Sequence, residues 1–212
     1  NGKNLKDWTF RSEAGKKVWS VKDGVIDCNP LASPRADKNL WSKRSFGDFT
    51  LKLEWRIKDL QGGYNVPTIN PDGSYVLGSD GKPVTQKIPV TDSGIYVRGS
   101  SKHQINIWNW PIGSGEVYGY RHNNPDAKVR ASVTPSENAD KPIGEWNTFE
   151  ITIQGKDLTV VLNGKTVINQ ARLAEAADFA PIALQHHGGY DPESDSWKGS
   201  SSLVQFRNIK IR

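Results

Sequence analysis

The sequence predicts an all-β domain over residues 1–212: an antiparallel β-sandwich of jelly-roll type with long loop insertions. Three observations carry this. Phe49, Leu51, Leu53, Trp55 and Ile57 alternate with Thr50, Lys52, Glu54, Arg56 and Lys58, the strict period of two of a strand with one buried face. Asp23-Gly24 and Asn163-Gly164 each separate two alternating runs, where a tight hairpin needs positive φ. No long amphipathic helix breaks the chain, which carries 20 Gly and 8 Trp at a mean hydropathy of −0.62.

Taken in order, residues 1–8 open with turn formers and a Trp8 anchor. Lys17–Val21 and Val25–Cys28 make the first hairpin, Leu31–Asn39 is a loop, and Leu40–Ser42 is a short strand. After the long strand Phe49–Lys58 comes an insertion at about 60–91, rich in Gly, Pro, Asn and Asp. It is expected to be ordered and to lie beside the site, with a small hairpin pairing Ser74–Leu77 with Pro83–Ile88. Asp92–Gly99 and His103–Trp108 are two adjacent strands. Gly113–Tyr120 reads as a Gly-punctuated strand and Arg121–Lys141 as loop. Phe149–Ile153, Leu158–Leu162 and Lys165–Ile168 follow as strands, then one helical turn at Leu173–Ala177. A strand at Ile182–His187, a loop at about 188–202 and a closing strand at Leu203–Ile211 complete the chain.

Composition excludes several functions. The net charge of +5 is dispersed with no basic block, so no nucleic-acid arm is present. Cys28 is alone, which rules out an internal disulfide and a cysteine zinc site; it reads as a small packed residue. No apolar run is long enough for a transmembrane helix. Met is absent even at position 1, as expected of a chain that begins after its start codon, for example after a signal peptide. Oligomeric state is left open.

The central pair of strands holds the densest chemistry. Ile95, Val97, Ile105 and Ile107 form an aliphatic face. Tyr96, Arg98, Gln104, Asn106 and Trp108 form the other, and aromatic rings with amides on one surface suit a carbohydrate. Tyr118 and Gln185 are further candidate sugar contacts. Four residues are candidates for catalysis. Glu54 lies between Lys52 and Arg56 on its own face, where a surface ion pair is an equal reading. Arg98 shares a face with Tyr96; a cross-strand salt bridge is the competing role. Asp92 either orients a base or caps the turn before Ser93. His186 and His187 point to opposite faces of their strand, so one at most enters a site. His187, followed by Gly188-Gly189, is preferred, and His186 then shares a face with Leu184. His titrates near neutrality and suits proton transfer. The residues demand no cofactor. A divalent cation is the one candidate, at Asp191, Glu193 and Asp195, whose spacing lacks the Gly and terminal Glu of a calcium loop and reads better as a solvated acidic loop. No paired-carboxylate run of a laminarinase, nucleophile elbow, phosphate loop or zincin motif occurs.

Asn1-Gly2-Lys3-Asn4-Leu5 with Trp8, Trp19-Ser20-Val21 before Asp23-Gly24-Val25, and Phe49–Ile57 begin a series of motifs. Ser93-Gly94-Ile95-Tyr96-Val97-Arg98-Gly99, Val117-Tyr118-Gly119, Gly144–Thr148, Leu162-Asn163-Gly164 and Phe206-Arg207-Asn208-Ile209 continue it. In this order and spacing the chain resembles the 3-keto-disaccharide hydrolase family nearly end to end. The resemblance implies a concanavalin-like jelly roll and an exported bacterial protein, periplasmic or at the cell surface, that cleaves 3-keto glycosides. A ketone at C3 acidifies the hydrogen on C2. A general base removes it, the C1 substituent is eliminated, and water adds to the enone. Two departures stand out: the insertion and the 188–202 loop are longer than the family pattern, and His103-Gln104 stands where an acidic residue is usual. Two other readings compete, a non-catalytic carbohydrate-binding module using the same face and a conventional glycosidase pairing Glu54 with Glu116.

Overall fold

A computed structural model describes residues 2–212. The strands in chain order are β1 (Trp8–Thr9), β2 (Trp19–Lys22), β3 (Val25–Cys28), β4 (Leu40–Phe46), β5 (Phe49–Ile57), β6 (Gln61–Pro67), β7 (Thr85–Val90) and β8 (Asp92–Tyr96). They continue with β9 (Gln104–Trp108), β10 (Asn147–Gln154), β11 (Asp157–Leu162), β12 (Lys165–Arg172), β13 (Ala180–Leu184), β14 (Gly189–Asp191), β15 (Ser196–Lys198) and β16 (Val204–Ile211). Two short helices, α1 (Tyr118–Arg121) and α2 (Ala127–Ser132), lie between β9 and β10.

A seven-stranded sheet in the order β12-β11-β10-β5-β16-β3-β2 packs on a five-stranded sheet in the order β1-β4-β13-β8-β9. All the pairings within these sheets are antiparallel. This is the antiparallel jelly-roll sandwich expected from the alternation. The register explains the core. β10 sets Phe149, Ile151 and Ile153 opposite Leu53, Leu51 and Phe49 of β5, all of them buried. Ile95, Ile105, Ile107 and Leu184 close the core from the five-stranded side. Each such side chain contributes about 1.5–3 kcal/mol when fully buried, so the period-two code fixes which face of each strand turns inward. Both hairpin signals are realised with positive φ: 51° and 81° at Asp23-Gly24, 52° and 84° at Asn163-Gly164.

Several local expectations are corrected. Residues 113–120 do not form a strand. Asn106 N–H donates to Glu116 O (2.9 Å) and Gly115 N–H to Asn106 O (2.9 Å), so the chain runs beside β9 only briefly. It then turns into α1, where Gly119 lies so close to the Lys102 carbonyl that a Cβ would meet it at 2.5 Å. A second helix, α2, occupies the supposed loop, capped by the Asp126 carboxylate accepting from Lys128 N (2.8 Å). The turn expected at Leu173–Ala177 is present as a single turn, closed by Ala176 N–H to Leu173 O (2.9 Å), but α1 and α2 are the α-helices among the described residues. The insertion is ordered, but its main hairpin is β6 with β7; the expected Leu77 and Pro83 pair only as a bridge near its tip. The 188–202 loop contains the hairpin β14–β15. Among the described residues no helix is long and apolar enough to cross a membrane.

Candidate functional site

The polar faces of β8, β9 and the end of β13 line one open hollow of about 480 Å³. β8 pairs with β9 so that Asp92 faces Trp108, Gly94 faces Asn106 and Tyr96 faces Gln104. Gln185 N–H donates to Gly94 O (2.8 Å), continuing the same face onto the next strand. Gly94 has a specific reason to be glycine. A Cβ there would lie 2.5 Å from Gln104 Nε2, and that amide must cross the strand to donate to Gln185 Oε1 (2.7 Å) and Ser93 O (3.2 Å). The crossing locks both amides, leaving Gln104 Oε1 as an acceptor and, beyond the bond from Gln185 to the Tyr96 hydroxyl, one N–H of Gln185 as a donor.

The titratable centre is His187 with Asp92. His187 Nδ1 lies 2.5 Å from the Ser200 carbonyl oxygen. A carbonyl only accepts, so Nδ1 carries the proton and neutral His187 keeps its Nε2 lone pair. Asp92 Oδ2 lies 3.9 Å from Nδ1. Ser202 braces both residues, accepting from His187 N (2.6 Å) and donating to Asp92 O (2.8 Å). Burial pushes the Asp92 carboxyl up to about 6, against the opposing pull of His187 and a hydrogen bond from Ser200. His186 lies outside the hollow. Burial, with Lys38 and His187 adding to it, lowers its imidazole to about 4, so it is neutral.

One wall is aromatic. Trp108 and Trp110 stack at 4.0 Å with their planes 2° apart. Tyr118 meets Trp108 edge-on at 6.4 Å and stacks on His122 at 4.7 Å. Behind Tyr118, Arg121 is ion-paired with Glu116, both fully buried. Burial raises the Glu116 carboxyl to about 7, against the pull of Arg121. Arg121 is itself held up by Glu116, and the pair ties Glu116 to the wall behind Tyr118.

Asp92, Gln104, Asn106, Trp108, Tyr118, Gln185 and His187 thus converge, joined by Tyr64, Ser101, Lys102, Trp110 and Ser200. Trp110 was readable from Trp108 by the two-residue period; Tyr64, Lys102 and Ser200 carried no such signal. Tyr96 lies on the same face but packs against Trp41 (5.8 Å) rather than lining the hollow. Two candidates lie elsewhere. Glu54 is on the outer face of the seven-stranded sheet, accepting from Arg207 Nε (2.6 Å) and Asn208 Nδ2 (2.7 Å), because its neighbours Leu53 and Trp55 turn into the core. Arg98 follows the end of β8 and is buried. It donates to the carbonyls of Phe46 (2.9 Å), Gly47 and Gly155 (3.0 Å), which ties a sandwich corner together. Glu54 and Glu116 therefore share no cavity, and the conventional glycosidase pairing fails. Asp191 and Asp195 are engaged by Ser194 and Tyr190 within their hairpin. Among the described residues no three His, Cys, Asp or Glu side chains group as a metal site. A larger groove of about 820 Å³ between Trp8, Phe46 and Ile209 contains no carboxylate–imidazole pair.

Comparison with known proteins agrees with this architecture. A family model described as 3-keto-alpha-glucoside-1,2-lyase-like domain matches residues 1–212. A Parabacteroides distasonis protein provisionally assigned as a glycosyl hydrolase superposes with a TM-score of 0.60 at 15% identity, over 100% of this chain and 90% of its own. A second from that organism gives a TM-score of 0.56 at 21% identity, over 99% and 95%. The carbohydrate-binding module CBM66 from Bacillus subtilis gives 0.50 at 12%, over 97% and 95%. At these identities the likeness is one of fold. No curated protein sequence matches significantly.

Proposed function

The chain belongs to the 3-keto-alpha-glucoside-1,2-lyase-like family, and from that premise we propose that it cleaves 3-keto glycosides by base-led elimination followed by hydration. The observation that carries this reading is the His187–Asp92 pair at the hollow, with Nδ1 of His187 engaged by the Ser200 carbonyl and Nε2 left as the base. Nε2 takes the proton from C2, and the C–H electrons form an enolate whose charge rests on the C3 oxygen. The enolate collapses to a C1=C2 double bond and a restored C3 ketone as the bond from C1 to the leaving oxygen breaks. The departing oxygen takes the proton from the imidazolium. Water then adds at C1 and a proton returns to C2, so one water is consumed per bond cleaved. Asn106 lines the same hollow and is a donor available to the enolate oxygen, with Lys102, whose ammonium pairs with Glu175 (2.5 Å), beside it. Gln104 Oε1 and the Gln185 nitrogen hold sugar hydroxyls, and Trp108, Trp110 and Tyr118 offer the apolar wall. Elimination needs no matched pair of carboxylates, which agrees with Glu116 being committed to Arg121 and Glu54 lying outside.

The test is incubation with a 3-keto glucoside in deuterated water. Expected are release of the leaving group and deuterium at C2, both lost in His187→Ala. Binding without release in the wild type would return the sugar-binding-module reading. Release with the C2 hydrogen retained would overturn the elimination route.

A further inference from the structure

The groove of about 820 Å³ shares no lining residue with the His187 hollow. It lies where the two sheets part, between β1, β4 and β13 on one side and β2, β3 and β16 on the other. Its floor is apolar, built from Trp8, Val21, Phe46, Ile182, Ile209 and Ile211. All but Ile182 pack against the core while staying only half-buried, so the seam of the sandwich is left open to solvent.

β3 pairs with β16 only at Gln205 and Phe206, and beyond Phe206 that flank of β16 has no strand beside it. A strand-shaped partner is disfavoured there. Asn208 takes a positive φ of 54° and the β5–β16 ladder breaks register between Arg207 and Lys210, the kind of irregularity that guards an open edge against strand addition. On the facing sheet the N–H of Ile182 is already taken by Ser42 Oγ (3.0 Å). The floor thus suits an apolar occupant without backbone groups of its own.

The rim has the opposite character. Lys43, Arg44 and Lys210 line the groove and are exposed. Among the described residues none of the three is ion-paired with a carboxylate. The Arg44 guanidinium lies 5.5 Å from the Phe46 ring, over the apolar floor. Arg207 is paired with Glu54. Asp7 is the carboxylate of the lining, so three unpaired cations face one anion. An apolar slot with a cationic mouth selects an amphiphile with an anionic head. Guanidinium matches a carboxylate as a two-donor fork.

We propose that this groove is a second ligand site, which takes the alkyl chain of a free long-chain carboxylate and holds its head group with Arg44, Lys43 and Lys210. The site is independent of the reaction proposed for His187.

The experiment is calorimetry of the protein with acetate, octanoate, decanoate and dodecanoate, each below its micelle concentration. Expected is one-to-one binding that tightens about tenfold for every two methylenes added, with no measurable binding of acetate. Lys43→Glu combined with Lys210→Glu is expected to weaken decanoate about tenfold and to leave 1-decanol within twofold. Ile209→Asp is expected to abolish binding of both; if it fails to fold, the rim variant, made on exposed side chains, carries the test. Affinity indifferent to chain length, or unmoved by the rim variant, would overturn the proposal. So would binding confined to phosphatidylglycerol vesicles, which would make this face a membrane contact. Loss of decanoate binding in His187→Ala would also overturn it, by placing the chain in the other hollow.

Discussion

Two polar sheet faces of this molecule look alike in sequence and differ in what their side chains are bound to. On the outer face of the seven-stranded sheet, Lys52 pairs with Glu150 (2.7 Å), Arg56 donates to Gln205 (2.7 Å), and Glu54 is held by Arg207 and Asn208. Each of these three charges has a partner on the same surface. On the face of β8, β9 and β13 the polar groups are buried and fixed by locked amides and backbone carbonyls, while His187 reaches the hollow. A period-two pattern says that a face is polar. Whether it is a solvated surface or a site depends on what covers it, and here β6–β7, α1 and the 188–202 hairpin cover only one of the two.

The sharpest way to break this contrast is at His187. His187→Ala is expected to reduce turnover of a 3-keto glucoside by about 10²–10⁴, the range for losing a positioned general base, with the fold retained by circular dichroism. A loss below tenfold would remove the inner face's claim to chemistry. Arg98 comes next and tests the corner. Arg98→Met strands the carbonyls of Phe46, Gly47 and Gly155 and is expected to cost about 3 kcal/mol of stability in urea. KM of the material that still folds should be unchanged, because Arg98 does not line the hollow. A KM change with normal stability would return it to the site.

Asp92 gives a smaller effect with a sign that can be worked out. Its carboxyl is raised from 3.8 to about 6 by burial. The folded protein therefore holds that proton more tightly than the unfolded chain does. The associated stability is full below about pH 4 and is lost as pH rises through about 6, amounting to ~2–3 kcal/mol. Asp92→Asn is expected to flatten that slope in urea titrations at pH 4 and pH 7.5. In kcat/KM the acid limb near 6 is assigned to Asp92. Activity should rise with pH through it, and Asp92→Asn should shift that limb and lower the plateau about tenfold. An unchanged limb would separate Asp92 from the base.

The fold was largely legible because burial is written in alternation: β5, β10 and β11 need only their own residues to declare an inner face. The hollow was partly legible for the same reason, since Gln104, Asn106, Trp108, Gln185 and His187 keep parity along β9 and just past β13. What failed depended on contacts between distant segments. Arg98 has the parity of Tyr96, but it lies past the end of its strand, where the carbonyls of Gly47 and Gly155 capture it. Val117-Tyr118-Gly119 reads as strand until the Lys102 carbonyl forces a close approach. Tyr64 and Ser200 reach the site through long excursions whose docking no local pattern encodes.

Glu54 offers the smallest effect and the cleanest control. Its carboxyl is held below the usual range, chiefly by the hydrogen bond from Asn208 and then by Arg207. Its side chain is 24% exposed, so the pair is partly screened and worth about 0.5–1 kcal/mol. A depressed value means stability that is present above the ordinary 4.5 and lost as pH falls below it. Glu54→Gln should therefore lower the urea midpoint slightly at pH 7 and hardly at pH 3, with the difference shrinking in high salt. Turnover of the 3-keto glucoside should stay within twofold. A tenfold loss would mean that the outer face communicates with the hollow through Trp55, whose neighbours on β5 point outward while its own ring packs on Phe149 at 5.5 Å. The two faces would then have to be treated as one system, with the sandwich core as its connection.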